Sequence, residues 1–257
     1  MTAVPTPARR PSFAATFSAI FSGQLARARV AAIPIFLAAT LQSVGLVVLL
    51  KGLVDKSDVT EQSVVAGSSV TVVSFVALNL LAQRFGALRA SGALDYFGAL
   101  PVQPGALVTA TAAAWAVFTV PGSILVAVGG AAFYGLPLAH VWVIAPVVVG
   151  AGISLAGLGA VLGLLAPRPE IATVAGQLGM SLVMFLGLVP AHRLPGVVQA
   201  VRAVVPSTYA VDAFAESFKT SPRWTTVGAD LGICVAVCVL ALVVAAWAFR
   251  RAVTSGR

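Results

Sequence analysis

The chain has 257 residues, of which 59% are hydrophobic and 9% charged, and its mean hydropathy is +1.00. A soluble domain carries about 25% charged residues, so this chain cannot cover a soluble globule with charge, and its hydrophobicity excludes a disordered chain. The net charge of +8 comes from 16 basic and 8 acidic residues, which are too scattered for a nucleic-acid-binding surface. The composition predicts an all-α integral membrane protein with no nucleic-acid partner.

Residues 1–29 are predicted to form a cytoplasmic tail and an amphipathic helix on the membrane surface. The first ten residues are not followed by the compact apolar core and cleavage site of a secretory signal. Residues 12–29 repeat large apolar side chains at three- and four-residue steps, with an arginine on another face, which is typical of an interfacial helix. The residues of interest in this helix are Phe13, Phe17, Phe21 and Arg27. An ordinary soluble helix packed on a partner is the alternative.

Six apolar stretches without Lys, Arg, Asp or Glu follow, and each is long enough to cross a hydrocarbon core of about 30 Å. In lipid the backbone must satisfy its own hydrogen bonds, so these stretches are predicted to be helices. They form a transmembrane domain over residues 30–257. Spans one to six cover residues 30–50, 62–83, 105–134, 141–166, 171–190 and 231–249.

Two of the longer connections have a helical pattern of their own. Loop 84–104 follows span two and is compatible with a helix. Segment 191–224 has apolar periodicity on both sides of a Pro-Ser-Thr break, which predicts an external re-entrant helical hairpin before span six. The residues singled out in this hairpin are Pro195, Pro206, Tyr209 and Asp212.

The distribution of charge predicts the orientation of the chain. With the N-terminus inside, the cytoplasmic segments carry ten Lys and Arg against two acidic residues, and the external segments carry six against six. Lys and Arg concentrate on the cytoplasmic side of membrane proteins. A multi-pass protein with both termini in the cytoplasm follows from the even number of spans.

The spans contain neutral polar side chains and no ionisable ones, which argues against transport driven by protons or ions. Asn79 in span two and Gln177 in span five carry the largest amides of these spans. They are predicted either to line a substrate path or to hydrogen-bond neighbouring helices. Gly159 and Gly163 form a GxxxG pair in span four, which predicts close helix packing.

No motif for catalysis or metal binding stands out. The sequence has no GxSxG and no phosphate-binding G-x-x-x-x-G-K-[ST]. Its two histidines and two cysteines have no metal-ligand partner at a useful spacing. We therefore expect no catalytic residue, no metal and no directly bound cofactor, so energy for uphill transport would come from another subunit.

Loop 84–104 carries a resemblance to a known family. Gly92-Ala93-Leu94-Asp95, followed by Leu100-Pro101-Val102, resembles the string Glu-x-Gly-Thr-Leu-Glu-x-Leu-x-x-x-Pro-Val after span two of permease subunits of type-2 ABC transporters. Leu194-Pro195 and Pro206-Ser207-Thr208-Tyr209 are similar to the segment before span six of that family. The chain differs at two places, because Ser91 stands before the glycine and Gln103-Pro104 follows Pro-Val.

The resemblance implies a permease that forms the substrate path of an ATP-driven exporter of drugs, lipids or polysaccharides. It implies an ABC ATP-binding subunit that holds ATP and Mg, and a second permease copy or a homologous permease, in the bilayer of the plasma membrane. Loop 84–104 would be the coupling helix that enters a cleft of the ATPase. Its coupling residues would be Arg84, Arg89, Leu94, Asp95, Leu100 and Pro101. The neutral spans favour a drug-like, lipid or other amphiphilic substrate, and the Ala-, Val-, Gly- and Arg-rich composition indicates a bacterial source.

Other classes of function remain open from the sequence. A membrane scaffold or assembly subunit without a transport path would form a complex whose ATPase is indifferent to any substrate. An ATP-independent transporter or channel is disfavoured by the lack of charges in the spans, although a uniporter would not need them. A membrane enzyme is disfavoured because no cluster of catalytic groups occurs. A neighbouring reading frame for an ABC ATPase would favour the permease.

Overall fold

The structure is a computed structural model that describes residues 12–51, 61–94, 103–188 and 195–255. All regular elements within these ranges are helices. A π-helical segment, Ser74–Leu80, joins the second and third α-helices, and a 3₁₀ turn, Val141–Val143, precedes the fifth. The α-helices are α1 (Phe13–Lys51), α2 (Glu61–Val73), α3 (Leu81–Ala90), α4 (Pro104–Tyr134), α5 (Ile144–Leu165), α6 (Pro169–Leu188), α7 (Gly196–Val204), α8 (Pro206–Ser217) and α9 (Trp224–Ser255).

Six helical stretches among the described residues are long and apolar enough to cross a membrane, which confirms the predicted six-span, all-α fold class. Span two continues to Ala90 and span six begins at Trp224, beyond the apolar stretches. Neither extension contains a proline, and the helical hydrogen bonding continues through Gly86 and Gly228. The spans are Ile33–Lys51, Glu61–Ala90, Gly105–Tyr134, Val141–Leu165, Pro169–Leu188 and Trp224–Ala252.

The predicted interfacial helix and span one belong to one continuous helix, α1, which contains Pro34. Its aromatic residues Phe13, Phe17 and Phe21 stack in a row, with ring centres 6.4 and 5.8 Å apart. Arg27 is exposed on the same helix. The aromatic face is therefore present, and its position on the membrane surface stays a prediction.

Span two lies at the centre of the bundle. In its most apolar stretch 89% of the residues are buried, against 22% in spans one and six and 33% in span five. Span two packs against spans three, four and five, and span four in turn packs against spans three and six. Spans one, five and six therefore leave apolar sides uncovered, which suits contact with lipid or with another membrane subunit.

Small residues bring span four against span two. A Cβ built at Gly159 would lie 2.5 Å from the carbonyl oxygen of Leu78, and one at Gly163 would lie 2.4 Å from the carbonyl oxygen of Ala82. No larger side chain fits at these separations. The GxxxG pair is thus a packing contact within this chain.

The segment before span six is a helix–break–helix at one end of the bundle, which we call the hairpin end. Helix α8 packs against spans two, four and six, and its Ala210 and Phe214 are fully buried. Helix α7 is mostly exposed. The opposite end, where span two ends at Ala90 and residues 91–94 follow, is called the loop end. How deep the hairpin lies in the membrane stays a prediction.

Candidate substrate path and coupling surface

Three amide side chains form a hydrogen-bonded row between spans two and five. Gln83 Nε2 donates to Asn79 Oδ1 over 2.9 Å, and Asn79 Nδ2 donates to Gln177 Oε1 over 3.3 Å. Asn79 is buried, whereas Gln177 is exposed at the surface of span five. The structure thus joins the two amides that the sequence singled out. The sequence analysis missed Gln83, although its four-residue spacing from Asn79 places both on one helix face.

The row lies where span two departs from α-helical geometry. The π-helical segment Ser74–Leu80 contains Asn79, and such segments are rare and frequently occur at functional sites. On the facing helix, a Cβ at Gly176 would lie 3.0 Å from Asn79 Oδ1 and 3.1 Å from the Asn79 carbonyl oxygen. Glycine at this position therefore allows the Asn79 amide to reach span five.

Span five exposes polar groups on a side that the described part of the chain does not cover. Thr173, Gln177 and Ser181 follow one another at four-residue steps and share a helix face. The hydroxyls of Thr173 and Ser181 donate to carbonyls of their own helix, those of Pro169 and Gln177. The Gln177 amide is consequently the group on this face that is available to a substrate or a second chain.

At the loop end, Arg84 is held between span three and the N-terminal part of α1. Its Nη2 donates to Gln24 Oε1 over 3.0 Å, and its guanidinium carbon lies 5.5 Å from the centre of the Trp115 ring. Exposed Arg27 lines a small notch together with Arg84 and Gln24. Arg84 therefore fixes the position of α1 beside span two rather than projecting freely from the loop.

Arg89 ties the start of the loop to span four. Its Nη1 donates to the carbonyl oxygens of Leu164 and Ala166 over 2.7 and 2.9 Å. These carbonyls end a helix and lack partners within it, and a cation there also suits the helix dipole. Leu94 is 3% exposed and packs into the core. The other coupling residues, Asp95, Leu100 and Pro101, lie outside the described residues.

The residues singled out in the hairpin meet around the break between its helices. Tyr209 donates its hydroxyl to the carbonyl of Ala203 over 2.7 Å, and Asp212 accepts a hydrogen bond from Arg202 Nη2 over 2.6 Å. Pro206 opens α8 at a position where a missing N–H costs nothing. Pro195 is the exposed residue before α7. These contacts hold α7 against the buried helix α8.

A buried carboxylate, which the sequence analysis did not single out, joins α8 to the start of span six. Glu216 is 5% exposed. It accepts hydrogen bonds from Lys219 Nζ over 2.5 Å and from the backbone N–H and Nε of Arg223 over 3.1 and 3.3 Å. Burial alone raises the pKa of Glu216, but the hydrogen bonds from Lys219 and Arg223 outweigh it and lower the pKa below the ordinary 4.5.

This lowered pKa predicts a loss of stability in acid. A carboxylate with a lowered folded-state pKa contributes stability that is complete above the unfolded pKa and disappears as the pH falls through the folded value. We expect Glu216→Gln to lower the free energy of unfolding by about 1–3 kcal/mol at pH 7, and to change it little below the lowered pKa. Thermal unfolding of the purified protein against pH measures both effects.

The matched control is Glu170→Gln, which removes one carboxylate from an exposed position at the other end of the bundle. Because Glu170 lies in the first turn of α6 and interacts only weakly with the helix dipole, this variant should lose no more than about 0.3–1 kcal/mol. An equal loss of stability in the two variants at pH 7 would contradict a specific contribution from Glu216.

The combined geometry favours reversible binding and mechanical coupling. The amide row offers donors and acceptors without charge, which suits neutral polar groups of a bound molecule. Among the described residues no group of three His, Cys, Asp or Glu is placed to hold a metal ion. The loop end and the hairpin end are each tied to the two central spans, four and two.

Residues 55–247 match the model of a protein family described as ABC-2 family transporter protein. The match includes loop 84–104, the amide row and the hairpin, and it extends to Trp247 in span six. Comparison with curated proteins gives no match.

Proposed function

This chain belongs to the ABC-2 family of transporter proteins, and we propose that it is the permease subunit of an ATP-driven exporter. Membership in the family makes it the membrane component of an ABC transporter and implies association with an ABC ATP-binding subunit. In our proposal that subunit holds ATP and Mg, and two permeases, identical or homologous, enclose the substrate path.

The amide row is the observation that supports the proposed substrate path. Span five leaves a polar face uncovered, and Gln177 on this face is hydrogen-bonded to buried Asn79 of span two. A second permease facing span five would enclose the exposed amide between the two subunits. Such a path is apolar with a few neutral hydrogen-bonding groups, which supports a drug-like, lipid or other amphiphilic substrate over a free ion.

The loop end supports coupling to ATP hydrolysis. Arg89 and Leu94 anchor the start of loop 84–104 to the core, so a force on the loop reaches spans two and four directly. We propose that Asp95, Leu100 and Pro101 lie in the part of the loop that contacts the ATP-binding subunit. Arg84 and Arg89 act as positioning residues, and the stacked aromatic face of α1 lies at the membrane surface beside them.

The charges at the two ends of the bundle support a cytoplasmic location for the loop end. Among the side chains that the structure describes, the loop end carries six basic residues against one acidic, and the hairpin end carries four against four. This asymmetry follows the preference of Lys and Arg for the cytoplasmic side. We propose a plasma-membrane protein of bacterial origin with both termini in the cytoplasm and the hairpin outside.

In this orientation the hairpin closes the external end of the path. Helix α8 packs against spans two, four and six. A shift of span two relative to span four therefore changes the surface against which α8 packs. The contacts of Tyr209 and Asp212 then carry the movement to α7.

The proposal is tested by purifying the chain together with the ABC ATP-binding subunit encoded beside it. We expect a stable complex whose ATP hydrolysis is stimulated by amphiphilic compounds, and ATP-dependent movement of those compounds in vesicles. A complex whose ATPase is indifferent to every compound tested would overturn the export function and favour a scaffold subunit. Transport without the ATP-binding subunit would overturn the coupling.

A substitution in the anchored loop tests the coupling itself. Arg89→Gln removes two charge-assisted hydrogen bonds, each contributing about 1.5–3 kcal/mol. We expect the substrate-stimulated part of ATP hydrolysis to fall about tenfold, while the isolated permease still elutes as a single species. ATPase assays on the reconstituted complex measure the change.

Arg168→Gln is the control, since Arg168 is an exposed arginine at the same end of the bundle. Equal losses in Arg89→Gln and Arg168→Gln would show that charge at the loop end matters rather than the anchoring of the loop.

A further inference from the structure

An apolar cavity, separate from the amide row, lies between spans one, two and three. Its volume is ≈ 420 Å³, within the range of pockets that hold drug-sized molecules or lipid chains. The flanking residues Ile33 and Leu37 are 69% and 59% exposed on span one, so the cavity adjoins a side of the bundle that the described chain does not cover. Its wall is formed by Ile35, Phe36, Ala39, Val72, Val76, Trp115, Phe118 and Pro121 together with these two residues.

One polar atom in this wall has no partner. Trp115 is 7% exposed, and its indole Nε1 has no hydrogen-bond acceptor among the described residues. Buried donors are almost always paired in folded proteins, with protein groups or with bound molecules. The indole nitrogen itself has almost no accessible surface, so a molecule in the cavity meets the ring of Trp115 and not this N–H.

Arg84 lies beside the same tryptophan, and Arg27 lies beside Arg84. The guanidinium carbon of Arg84 is 5.5 Å from the Trp115 ring centre, and Arg27 lines a notch of ≈ 40 Å³ with Arg84 and Gln24. Among the described residues, no carboxylate pairs with either arginine. Two guanidinium groups without a carboxylate favour a phosphate, and basic pockets between the ends of membrane helices bind anionic lipid head groups.

We propose that this site binds one anionic phospholipid of the leaflet at the loop end. Its phosphate lies at Arg27 and Arg84, and one acyl chain fills the cavity beside the Trp115 ring. The charged notch distinguishes this occupant from a zwitterionic lipid or a second copy of the chain, because neither brings a net negative charge. The site does not depend on transport or on an ATP-binding subunit.

The test is lipid retention by the purified permease. The protein is reconstituted with phosphatidylglycerol or with phosphatidylcholine, delipidated under equal conditions and weighed by native mass spectrometry. We expect one phosphatidylglycerol to be retained about thirtyfold better than phosphatidylcholine, as two arginines near a membrane surface imply. Equal retention of the two lipids would overturn the proposal, and a lipid-free dimer would assign the cavity to a second copy.

Variants test the charged notch and the apolar cavity separately. Arg27→Gln alters an exposed side chain and should lower phosphatidylglycerol retention about fivefold, and the double variant with Arg84→Gln should abolish the preference. Ala39→Leu fills the cavity and should prevent retention of either lipid. Arg168→Gln removes an arginine from the same end and should leave retention unchanged. Unchanged retention in both Arg27→Gln and Ala39→Leu would overturn the site.

Discussion

Gly159→Val is expected to prevent span four from packing against span two. A Cβ at this position would lie 2.5 Å from the carbonyl oxygen of Leu78 and 2.9 Å from that of Ala77. Both atoms belong to the backbone of the central span, so they cannot move aside as a flexible side chain can. Overpacking of this kind costs about 1–3 kcal/mol and occasionally more, and we expect the upper end of that range.

Size-exclusion chromatography and thermal unfolding of the purified permease measure this effect. We expect most of the Gly159→Val protein to aggregate or to unfold at a markedly lower temperature. Gly150→Val is the matched control, because Gly150 lies in the same helix and a Cβ there has nothing within 4 Å. Wild-type unfolding of Gly159→Val would show that the two central spans are not packed as described.

Asn79→Leu is expected to abolish most transport while leaving the bundle folded. The substitution keeps the size of the buried side chain but removes the acceptor for Gln83 and the donor for Gln177. Leaving Gln83 and Gln177 without these partners costs about 1–3 kcal/mol. A loss of that size in positioning Gln177 for the substrate corresponds to about a tenfold or greater fall in transport. Uptake of an amphiphilic compound into inverted vesicles with the ATP-binding subunit measures the fall.

A second variant separates function from folding. Gln177→Leu changes an exposed member of the same row and should reduce transport similarly with no loss of stability. Ser181→Ala lies one turn away, and its hydroxyl donates only to its own helix among the described residues, so it should transport like the parent. Normal transport by both leucine variants would remove the amide row from the path.

The sequence predicted the spans well because hydrophobicity over about 20 residues is a local property. It was less accurate for helix ends. Span two reaches Ala90 and span six starts at Trp224, because neither extension contains a proline and the helical hydrogen bonds continue past the apolar stretch. Asn79 and Gln177 stood out because large amides are rare in apolar spans, and the structure brings them together.

The contacts of the arginines and of Glu216 could not be read from the sequence. Arg89 was predicted as a contact for the ATPase, and the structure places its guanidinium on the carbonyls of Leu164 and Ala166. These partners are more than seventy residues away in the chain. Glu216 was one of several balanced external charges until its burial set it apart.

The sequence by itself determined that the chain is helical, that it has six spans and that it belongs with ABC permeases. Composition and short motifs are local properties of the sequence and need no knowledge of tertiary contacts. Only the tertiary structure decided which helix faces meet. A π-helical segment changes the rotation of Asn79 about span two, and glycines at positions 159, 163 and 176 set how closely the spans approach. Helix rotation and separation depend on all packed neighbours at once, and no local pattern specifies them.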